Sequence, residues 1–539
     1  MTLRTCIRPT GRFQVGLHRP AFHVDNLRQE SHVGPLGELE DGSPVTNPVN
    51  FPENAVDEPC AHPIYEVANA FPFRGTTFIN TAWADAKAAR PDTIRIPAPE
   101  PCSFLQNMAG ADKELDTAAK DKLLATLPRP LRRALAQAST DTEELSLLAR
   151  QVARLVIHPD THRPTGMGYT QAPNGNIIPH IKDHEVFEIL VNNPHLPDDY
   201  KEAMVLRPGV QGRSEILGDY REDDAHVFEY LRRNSYIPWG HFASNMANDA
   251  VRYRAADLSP ADMTGIRHLY YQRIFARMAR ALDLPAPPNG QRLTPEALEE
   301  LRLQISQALA HRETPPEFTA ALWGWNFGFG AAQCGHRLHA SHQMIHQQNA
   351  LIPHEIPGLD GASLTGFSCG DQITDLMADY RETYGTEFFK DYLTAIRTNV
   401  RTDNGHHPDP AKPASLVVWE DENAILFAPK AQTSEWELQL MTQAPCPHVL
   451  AADGPTRASL DQGILHAVQT LEKLGARMVT GVELSGRFYG TDPGQHLVYS
   501  FIPRLPYAPD TFSEAQLRYI SGCYPEDFAQ ACRHALTPP

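Results

Sequence analysis

The segment from Trp325 to Pro353, WNFGFGAAQCGHRLHASHQMIHQQNALIP, combines glycines, a thiol, a guanidinium and four histidines. An amphipathic helix would instead place apolar residues three or four positions apart along one face. Glycine permits positive φ and lets backbone N–H groups approach an anion closely, while arginine can contact a phosphate through two N–H groups. We therefore interpret this segment as a functional site for an anionic ligand.

The histidines of the segment follow its first glycines, and they are His336, His339, His342 and His346. An imidazole can act as a nucleophile toward phosphorus, as an acid or base, or as a metal ligand. An ordinary surface loop explains any one of these residues equally well, but titratable groups that gather in one segment favour a site. The sequence therefore predicts either phosphate-directed or metal-assisted chemistry.

Length and charge limit the class of protein. The chain has 539 residues, and 42% of them are hydrophobic. This length exceeds what one hydrophobic core usually organises, so we expect two domains or a duplicated domain with extensions. Its net charge of −17 argues against nucleic acid or an anionic membrane as a partner, because phosphate backbones are bound by clustered Lys and Arg. A small anionic ligand in a local pocket is compatible with this charge.

The cysteines and the N-terminus indicate the compartment. None of the eight cysteines forms a closely spaced pair, as expected for reduced thiols. The N-terminus lacks the apolar stretch of a signal peptide, and no window is long and apolar enough to span a membrane. We therefore expect a soluble, cytoplasmic protein.

The order of apolar and turn residues predicts an α+β fold. Residues 1–65 are rich in Pro, Gly and polar groups, which predicts an extended N-terminal arm laid over the body or partly disordered. Residues 112–157 predict two helices that are broken near Pro128. The run HEVFEILV, residues 184–191, consists largely of strand formers and favours a β-strand after a turn at NGN.

The rest of the chain alternates helices and strands. Two helices are expected between residues 260 and 312, the second capped by Thr294, and residues 374–398 predict a further helix. The last third opens with a strand pair whose turn is Asp421–Asn423, followed by an amphipathic helix and another strand. Because strand pair, helix and strand occur in both halves, we expect two copies of one α+β unit.

The order of several short motifs resembles the galactose-1-phosphate uridylyltransferase family of the histidine-triad superfamily. These motifs are HEV…NNPH from His184, N-x-G from Asn326, VVWEDENAILFAP from Val417, HLVYSFIP from His496 and SGCYPEDFA from Ser521. The resemblance extends over residues 180–535, with an insertion between His195 and Trp323. It implies two histidine-triad-like halves that share an antiparallel sheet.

The implied organisation has three parts. An extended arm covers residues 1–65, a first histidine-triad-like half covers 66–402, and a second half covers 403–539. The first half contains the histidine segment and a helical insertion at about 200–315. Members of the family often pair through the shared sheet, so the resemblance also implies a homodimer.

The resemblance implies an enzyme of the nucleotidyltransferase or phosphorylase type. In this family a histidine of a His-Pro-His-x-Gln segment attacks the α-phosphorus of a nucleotide sugar, and a second phosphate resolves the nucleotidyl-histidine. A neutral imidazole near pH 7 is suited to this covalent step. The implied substrate is a nucleotide or nucleotide sugar.

The catalytic motif fits this chain in two registers. With the loop glycine on Gly335 and no gap, the nucleophile is His342. With the motif glutamine on Gln343, the first histidine is His339 and Ser341 takes the place of the nucleophile. We favour His342, because covalent transfer to phosphorus needs an accessible imidazole.

Two of the candidate substrate-binding residues fit the family pattern in either register. Asn326 and Gly328 match the N-x-G phosphate loop of the family. Gly335, His336 and Arg337 follow in the same segment, where backbone N–H groups and positive charge would stabilise the charge that develops on phosphorus.

Zinc is the cofactor that the resemblance implies. The structural zinc ligands of many family members correspond here to Cys102 and His195, with His339 as a further ligand in one register. Leu105 stands where the family has a second cysteine, and a closed structural zinc site needs four N, S or O ligands. The ligand set is therefore incomplete in the sequence.

A different reading keeps the fold but changes the chemistry. The histidine cluster could bind a metal and catalyse another reaction, or the chain could bind nucleotides without turnover. On a strand, His336 and His342 share one face beside the glycines. On a helix, His339, His342 and His346 would share a face and form a metal triad.

Overall fold

A computed structural model describes residues 3–24, 34–46, 55–58, 62–97, 100–110, 115–171, 173, 177–191, 193, 195–205, 258–288, 292–328, 346–404, 409–505 and 511–537. Within these ranges no helix is both long and apolar enough to cross a lipid bilayer.

The helices of the described residues range from one and a half to six turns. They are α1 (Thr81–Ala89), α2 (Phe104–Ala109), α3 (Thr117–Thr126), α4 (Arg129–Ala138), α5 (Thr142–Val152), α6 (His184–Val191), α7 (Asp198–Val205), α8 (Pro260–Ala281), α9 (Pro295–Ala310), α10 (Cys369–Tyr384), α11 (Phe388–Arg397), α12 (Gly454–Lys473), α13 (Thr511–Gln516) and α14 (Pro525–Leu536).

The strands of the described residues occur in several groups before, between and after these helices. They are β1 (Ile7–Arg8), β2 (Arg12–Phe13), β3 (Gly16–His18), β4 (Phe22–Val24), β5 (Pro35–Glu38), β6 (Pro44–Thr46), β7 (Val56–Glu58), β8 (Ile64–Ala68), β9 (Thr76–Asn80), β10 (Leu155–Ile157), β11 (Pro164–Met167), β12 (Tyr169–Gln171), β13 (Ile177–Pro179), β14 (Phe318–Gly328), β15 (His346–Pro353), β16 (Glu355–Pro357), β17 (Ser363–Thr365), β18 (Val417–Glu420), β19 (Ala424–Phe427), β20 (Leu438–Thr442), β21 (Met478–Leu484), β22 (Val498–Pro503) and β23 (Arg518–Ser521).

The largest sheet has seven antiparallel strands in the order β15–β14–β21–β22–β20–β19–β18. Two of its strands come from residues 318–353 and five from residues 417–503. The predicted α+β class is therefore confirmed, and strands from before and after residue 403 lie in one antiparallel sheet. A smaller sheet, β23–β9–β8–β3, joins the N-terminal region to the last part of the chain.

Each face of the seven-stranded sheet has its own hydrophobic core, because side chains alternate along a strand. On one face α8, α9, α12 and α14 pack against residues that include Trp323 and Tyr499. On the other face α10, α11 and the N-terminal segment pack against residues that include Phe427 and Val498. Adjacent residues of β22 thus enter different cores, and the sheet is the layer between them.

Residues 102–205 form a third, mainly helical cluster. The helices α2 to α7 share a core that includes Leu105, Leu148, Phe187 and Leu190, all fully buried. Two hairpins, β10–β11 and β12–β13, complete this cluster. The predicted turn at NGN, residues 174–176, lies outside the described residues, in the part of the chain that joins β12 to β13.

The predicted strand at residues 184–191 is wrong, because these residues form α6. Val186, Phe187 and Leu190 lie three and four positions apart and are all buried against the helical cluster. The Asp183 carboxylate accepts a hydrogen bond from the Val186 backbone N–H (3.2 Å), which caps the helix. Packing on one helical face therefore overrides the β-propensity of the individual residues.

Two predicted helical regions contain more breaks than expected. Residues 112–157 form three helices rather than two: the break near Pro128 is confirmed, and a second follows α4, where the Asp141 carboxylate caps α5. Residues 374–398 form two helices, because α10 ends at Gly385 with φ of 69°.

Other local predictions are confirmed. The Thr294 hydroxyl accepts a hydrogen bond from the Ala297 N–H (3.2 Å) at the start of α9. The Asp421 carboxylate accepts from the N–H groups of Asn423 (2.8 Å) and Ala424 (2.9 Å), which closes the turn between β18 and β19. The predicted helix and strand that follow are α12 and β22.

The start of the N-terminal region packs on the body. Cys6 and Ile7 are buried in the core that contains α10 and α11. The Thr5 hydroxyl donates to the carbonyl oxygen of Ala70 (2.8 Å). A side chain at Gly11, where φ is 69°, would collide with Thr394 of α11, so a glycine is needed for this close approach. The domain boundaries given above remain predictions.

Candidate functional site

The strands β14 and β15 position the histidine segment. They pair antiparallel from Phe318 opposite Pro353 to Asn326 opposite His346. On its other side β14 pairs with β21, from Gly324 to Gly328. The two ends of the segment that joins β14 to β15 are therefore held side by side, and β14 is fixed by hydrogen bonds on both of its edges.

The sequence of β14 explains why the strand lies between two environments. Trp323 and Trp325 are buried, whereas Leu322 is 47% exposed and Gly324 and Asn326 are half-buried. This period of two is the pattern of a strand with one face against a core and the other less covered. A Cβ atom at Gly324 would meet no atom closer than 3.7 Å, which confirms that the second face has room.

Seven of the predicted site residues lie outside the described residues, and they are Gly335, His336, Arg337, His339, Ser341, His342 and Gln343. Both proposed registers of the catalytic motif depend on them. The choice between His342 and Ser341 as the nucleophile therefore remains a prediction.

Asn326 and Gly328 lie at the end of β14 where the histidine segment begins. The Thr480 hydroxyl of β21 donates to the Asn326 side-chain oxygen (2.7 Å). Since its oxygen is engaged, the amide is oriented, and its N–H₂ group can donate to an acceptor beyond the strand. Gly328 pairs with Met478 of β21 and is the last residue of the strand. The structure thus brings together these two predicted substrate-binding residues.

A charged cluster that the sequence analysis missed lies behind β14, on the face opposite Asn326. Arg267 of α8 is fully buried, and its Nε donates to Asp461 Oδ1 of α12 at 3.0 Å. Burial raises the pKa of Asp461 to about 6 and also raises the pKa of Glu483, although the positive charge of Arg267 acts in the opposite direction on both. The sequence does contain a signal for this cluster: Arg267 lies three positions before Tyr270, on a face of α8 that is otherwise apolar.

The two predicted zinc ligands in the described residues are held by one turn, between α4 and α5. Cys102 and Thr140 exchange two hydrogen bonds, from the Cys102 N–H to the Thr140 hydroxyl (2.8 Å) and from the Thr140 N–H to the Cys102 carbonyl (2.9 Å). The Asn193 amide donates to the Ser139 carbonyl (2.9 Å) and accepts from the His195 N–H (2.8 Å). The fold therefore brings Cys102 and His195 to the same turn.

These two residues do not complete a zinc site. In the part of the chain that the structure describes, no group of three His, Cys, Asp or Glu side chains is placed to hold a metal ion. A thiol and an imidazole suit zinc, but a closed structural site needs four ligands. The further ligand implied by the resemblance, His339, lies outside the described residues.

Comparisons with known proteins find partial structural similarity. No protein-family model and no curated protein matches the chain. A GALT-like protein from Arabidopsis thaliana has 16% identity and a TM-score of 0.33, covering 52% of this chain and 70% of its own. An ADP-glucose phosphorylase from Arabidopsis thaliana with bound ADP-glucose has 17% identity and a TM-score of 0.33, covering 53% and 70%. A uridylyltransferase has 12% identity and a TM-score of 0.31, covering 47% and 76%.

These names include the uridylyltransferase family that the motif order resembles. TM-scores of 0.31 to 0.33 are nevertheless too low to assign this chain to a fold family, and they do not transfer an activity to it.

Proposed function

We propose that this chain is a nucleotidyltransferase or nucleotide phosphorylase that acts on a nucleotide phosphoanhydride through a covalent nucleotidyl-histidine on His342. The proposal is supported by the composition of the histidine segment, which supplies glycine N–H groups, a guanidinium and imidazoles within one short stretch. The order of motifs along residues 180–535 supports it independently of that composition.

The observation that carries the proposal is the position of Asn326 opposite His346 at the end of the β14–β15 pair. The chain continues from the end of β14 into the histidines of the segment, and Thr480 orients the Asn326 amide by donating to its oxygen. An oriented N–H₂ group on a rigid strand is a suitable donor to a phosphate oxygen, because little reorganisation is needed when charge develops. The site would thus combine a fixed donor with the nucleophile.

The proposed reaction has two steps. In the first, an imidazole nitrogen of His342 attacks the α-phosphorus, the N–P bond forms, and the phosphoanhydride bond to the departing phosphate breaks. In the second, a phosphate oxygen of the acceptor attacks the same phosphorus, and the imidazole leaves with its electron pair. Asn326, Gly328 and Gly335 would bind the phosphate oxygens, and Arg337 would offset their negative charge.

The remaining residues of the segment have roles that depend on the register. With His342 as the nucleophile, His336 would share its face if the segment were extended and would then contact the substrate. In the other register His339 and Gln343 would flank the reacting group and Ser341 would occupy its place. The two registers differ in the residue that attacks phosphorus, so substitution of that residue distinguishes them.

The wider setting of the site is part of the same proposal. The substrate would be a nucleotide or nucleotide sugar, and the protein a cytoplasmic homodimer of two histidine-triad-like halves. Zinc would be held by Cys102 and His195, and His339 would be a third ligand only in the register that places Ser341 at the nucleophile. No step of the reaction above depends on that metal.

The test is to trap the covalent intermediate. The protein is incubated with ADP-glucose or UDP-glucose without an acceptor, and its intact mass is measured after acid-free quenching. We expect the mass to increase by one nucleotidyl group, and the rate of this increase to fall by at least about 10³-fold in His342→Ala, which lacks the nucleophile.

Ser341→Ala is the matched control for this experiment. Under the proposed register it keeps the adduct, whereas loss of the adduct in Ser341→Ala with retention in His342→Ala would establish the other register. Absence of an adduct with either nucleotide sugar and with ATP and UTP would contradict nucleotidyl transfer.

The metal-triad alternative receives less support from the structure. It requires His339, His342 and His346 to lie on one helical face, but His346 is the first residue of β15. Metal analysis of the purified protein distinguishes the alternatives: one tightly bound metal per chain that is lost in His342→Ala, without an adduct, would favour the triad.

A further inference from the structure

Arg267 is a buried cation at the centre of the core behind β14. Its Nε donates to Asp461 Oδ1 (3.0 Å), and its Nη2 donates to the hydroxyl oxygens of Tyr271 (3.1 Å) and Tyr499 (3.0 Å). These partners lie on α12, α8 and β22 respectively, so one guanidinium joins two helices to the sheet. Removing such a group would leave several buried polar groups without partners.

Aromatic rings surround the same guanidinium. Its central carbon lies 4.6 Å from the ring centre of Trp323, 4.9 Å from Tyr271, 5.0 Å from Tyr270 and 5.4 Å from Tyr499. Among the described residues Nη1 has no hydrogen-bond partner, so these ring faces provide its stabilising environment. The nearest ring, Trp323, belongs to β14.

The hydrogen bonds of the cluster run in one direction, from the arginine through tyrosines to carboxylates. Tyr271, which accepts from Arg267, donates to Asp461 Oδ1 (2.7 Å). Tyr499, which also accepts from Arg267, donates to Glu483 Oε2 (2.6 Å). Since each link polarises the next, the rotamers of the cluster are fixed together.

Trp323 extends this network to the strand that follows the histidine segment. Its indole Nε1 donates to Gln347 Oε1 of β15 at 3.0 Å. Gln347 directly follows His346, where β15 begins. A connected path therefore runs from Asp461 through Arg267 and Trp323 to the start of β15.

We propose that Arg267 is a positioning residue for the site, which fixes the Trp323 indole and through it the end of the β14–β15 pair that carries the histidine segment. The catalytic part of this inference rests on the proposed nucleotidyl transfer, whereas the positioning of the strands does not. Arg267 lies in the insertion between His195 and Trp323, which the family resemblance does not cover. The insertion would thus supply a rigid support for the strand pair.

The position of the cluster distinguishes positioning from a general contribution to stability. A buried ion pair often stabilises a fold no more than apolar residues of similar volume would. The fork of Arg267 instead sets the direction of two tyrosines and one tryptophan, which a flexible apolar side chain does not do. Loss of Arg267 should therefore affect the β14–β15 end more than distant strands.

The experiment is hydrogen exchange followed by mass spectrometry on Arg267→Met and Arg267→Lys. We expect exchange at residues 323–328 and 346–349 to increase at least tenfold in Arg267→Met, with β18 to β20 unchanged. Arg267→Lys should give a smaller increase at the same residues, because it keeps the charge but loses the fork.

Arg401→Met is the matched control. Arg401 is also buried, donates to both carboxylate oxygens of Asp527 (2.5 and 2.7 Å) and lies over the Tyr524 ring, so these partners lie at the start of α14 and not on β14 or β15. Its loss should leave exchange at residues 346–349 unchanged. Equal increases at those residues in Arg401→Met and Arg267→Met would overturn the proposal.

Gln347→Leu addresses the case in which Arg267→Met does not fold. Gln347 is half-buried at the edge of the sheet, so its substitution leaves the core intact. It should raise exchange at residues 346–349 and not at Asp461. No change there, or a change spread over the whole sheet, would contradict the path through Trp323.

The catalytic consequence is measured by the rate of adduct formation with ADP-glucose or UDP-glucose. We expect Arg267→Lys and Gln347→Leu to slow the first-order step at saturation at least tenfold, with less than a threefold change in the concentration for half-maximal rate. Arg401→Met should leave both unchanged. An unchanged rate constant of the first-order step in Arg267→Lys would overturn the catalytic part of the proposal. Failure of the unmodified protein to form an adduct would refute nucleotidyl transfer. In that case the hydrogen-exchange data would still decide whether Arg267 positions the strands.

Discussion

The two faces of β14 differ in what covers them. On one face Trp323 and Trp325 are buried against α8 and the charged cluster, whereas on the other Leu322 is 47% exposed and Asn326 is half-buried. The covered face supplies rigidity and the other face keeps polar groups and space. A functional group on a strand whose back is fixed can be held in place without being buried itself.

The largest expected difference between these faces is in stability. Trp323→Ala should lower the free energy of unfolding by about 3–5 kcal/mol, because it creates a cavity and removes the ring next to Arg267. Leu322→Ala, at the adjacent residue, should change it by less than about 0.5 kcal/mol, since that side chain is largely exposed. Urea unfolding measures both, and similar losses for the two variants would contradict the assignment of the faces.

The second prediction concerns how acid affects stability through a buried histidine of α8, the helix that packs on the covered face. Burial, with the positive charge of Arg292, lowers the pKa of His268 on α8 to about 4, from the usual 6.5. The unfolded chain therefore binds a proton that the folded chain excludes, and stability falls as pH decreases from 6.5 toward 4. The 2.5-unit difference, at 1.36 kcal/mol per unit, corresponds to about 3 kcal/mol.

His268→Gln tests this sign. The difference in unfolding free energy between this variant and the unmodified protein should move by about 3 kcal/mol in favour of the variant between pH 7 and pH 4. The comparison isolates His268, since buried carboxylates such as Asp461 titrate in both proteins. A difference that is independent of pH would show that His268 is not held neutral.

The third prediction concerns the less covered face. Asn326→Ala removes the acceptor of the Thr480 hydroxyl and should lower the free energy of unfolding by only about 1 kcal/mol. It should nevertheless slow adduct formation about 10²-fold, because the donor to the phosphate is lost. Thr480→Val is the companion variant, which keeps the Asn326 amide but loses its orientation. If both variants form the adduct as fast as the unmodified protein does, Asn326 is not part of the site.

Local features of the fold were predictable wherever one residue determines the backbone. Asp421 closes the turn between β18 and β19, and Thr294 caps α9, and both were found from the sequence. The α6 helix was not, because Val186 and Phe187 favour strands individually and only their packing on other helices reveals the helical face. The extra break at Gly385 could have been found, since a glycine within a helical pattern is a common terminus.

The site was only partly predictable for a different reason. Asn326 could be found because it belongs to a short motif, whereas its place near the end of β14 is known from the structure. The proposed role of Arg267 depends on its hydrogen bonds to Asp461 and Tyr499, which lie some two hundred residues further along the chain. No local pattern encodes such long-range partners, so a buried arginine in a helix is recognised as part of the site only once the strands are assembled.

Peptide mapping of the trapped protein tests the central claim most directly. After incubation with a nucleotide sugar, proteolysis and fragmentation under neutral conditions locate the modified residue. We predict a single nucleotidyl group on the imidazole of His342. A group located on any other residue, or a protein that turns over substrate without becoming modified, would contradict it.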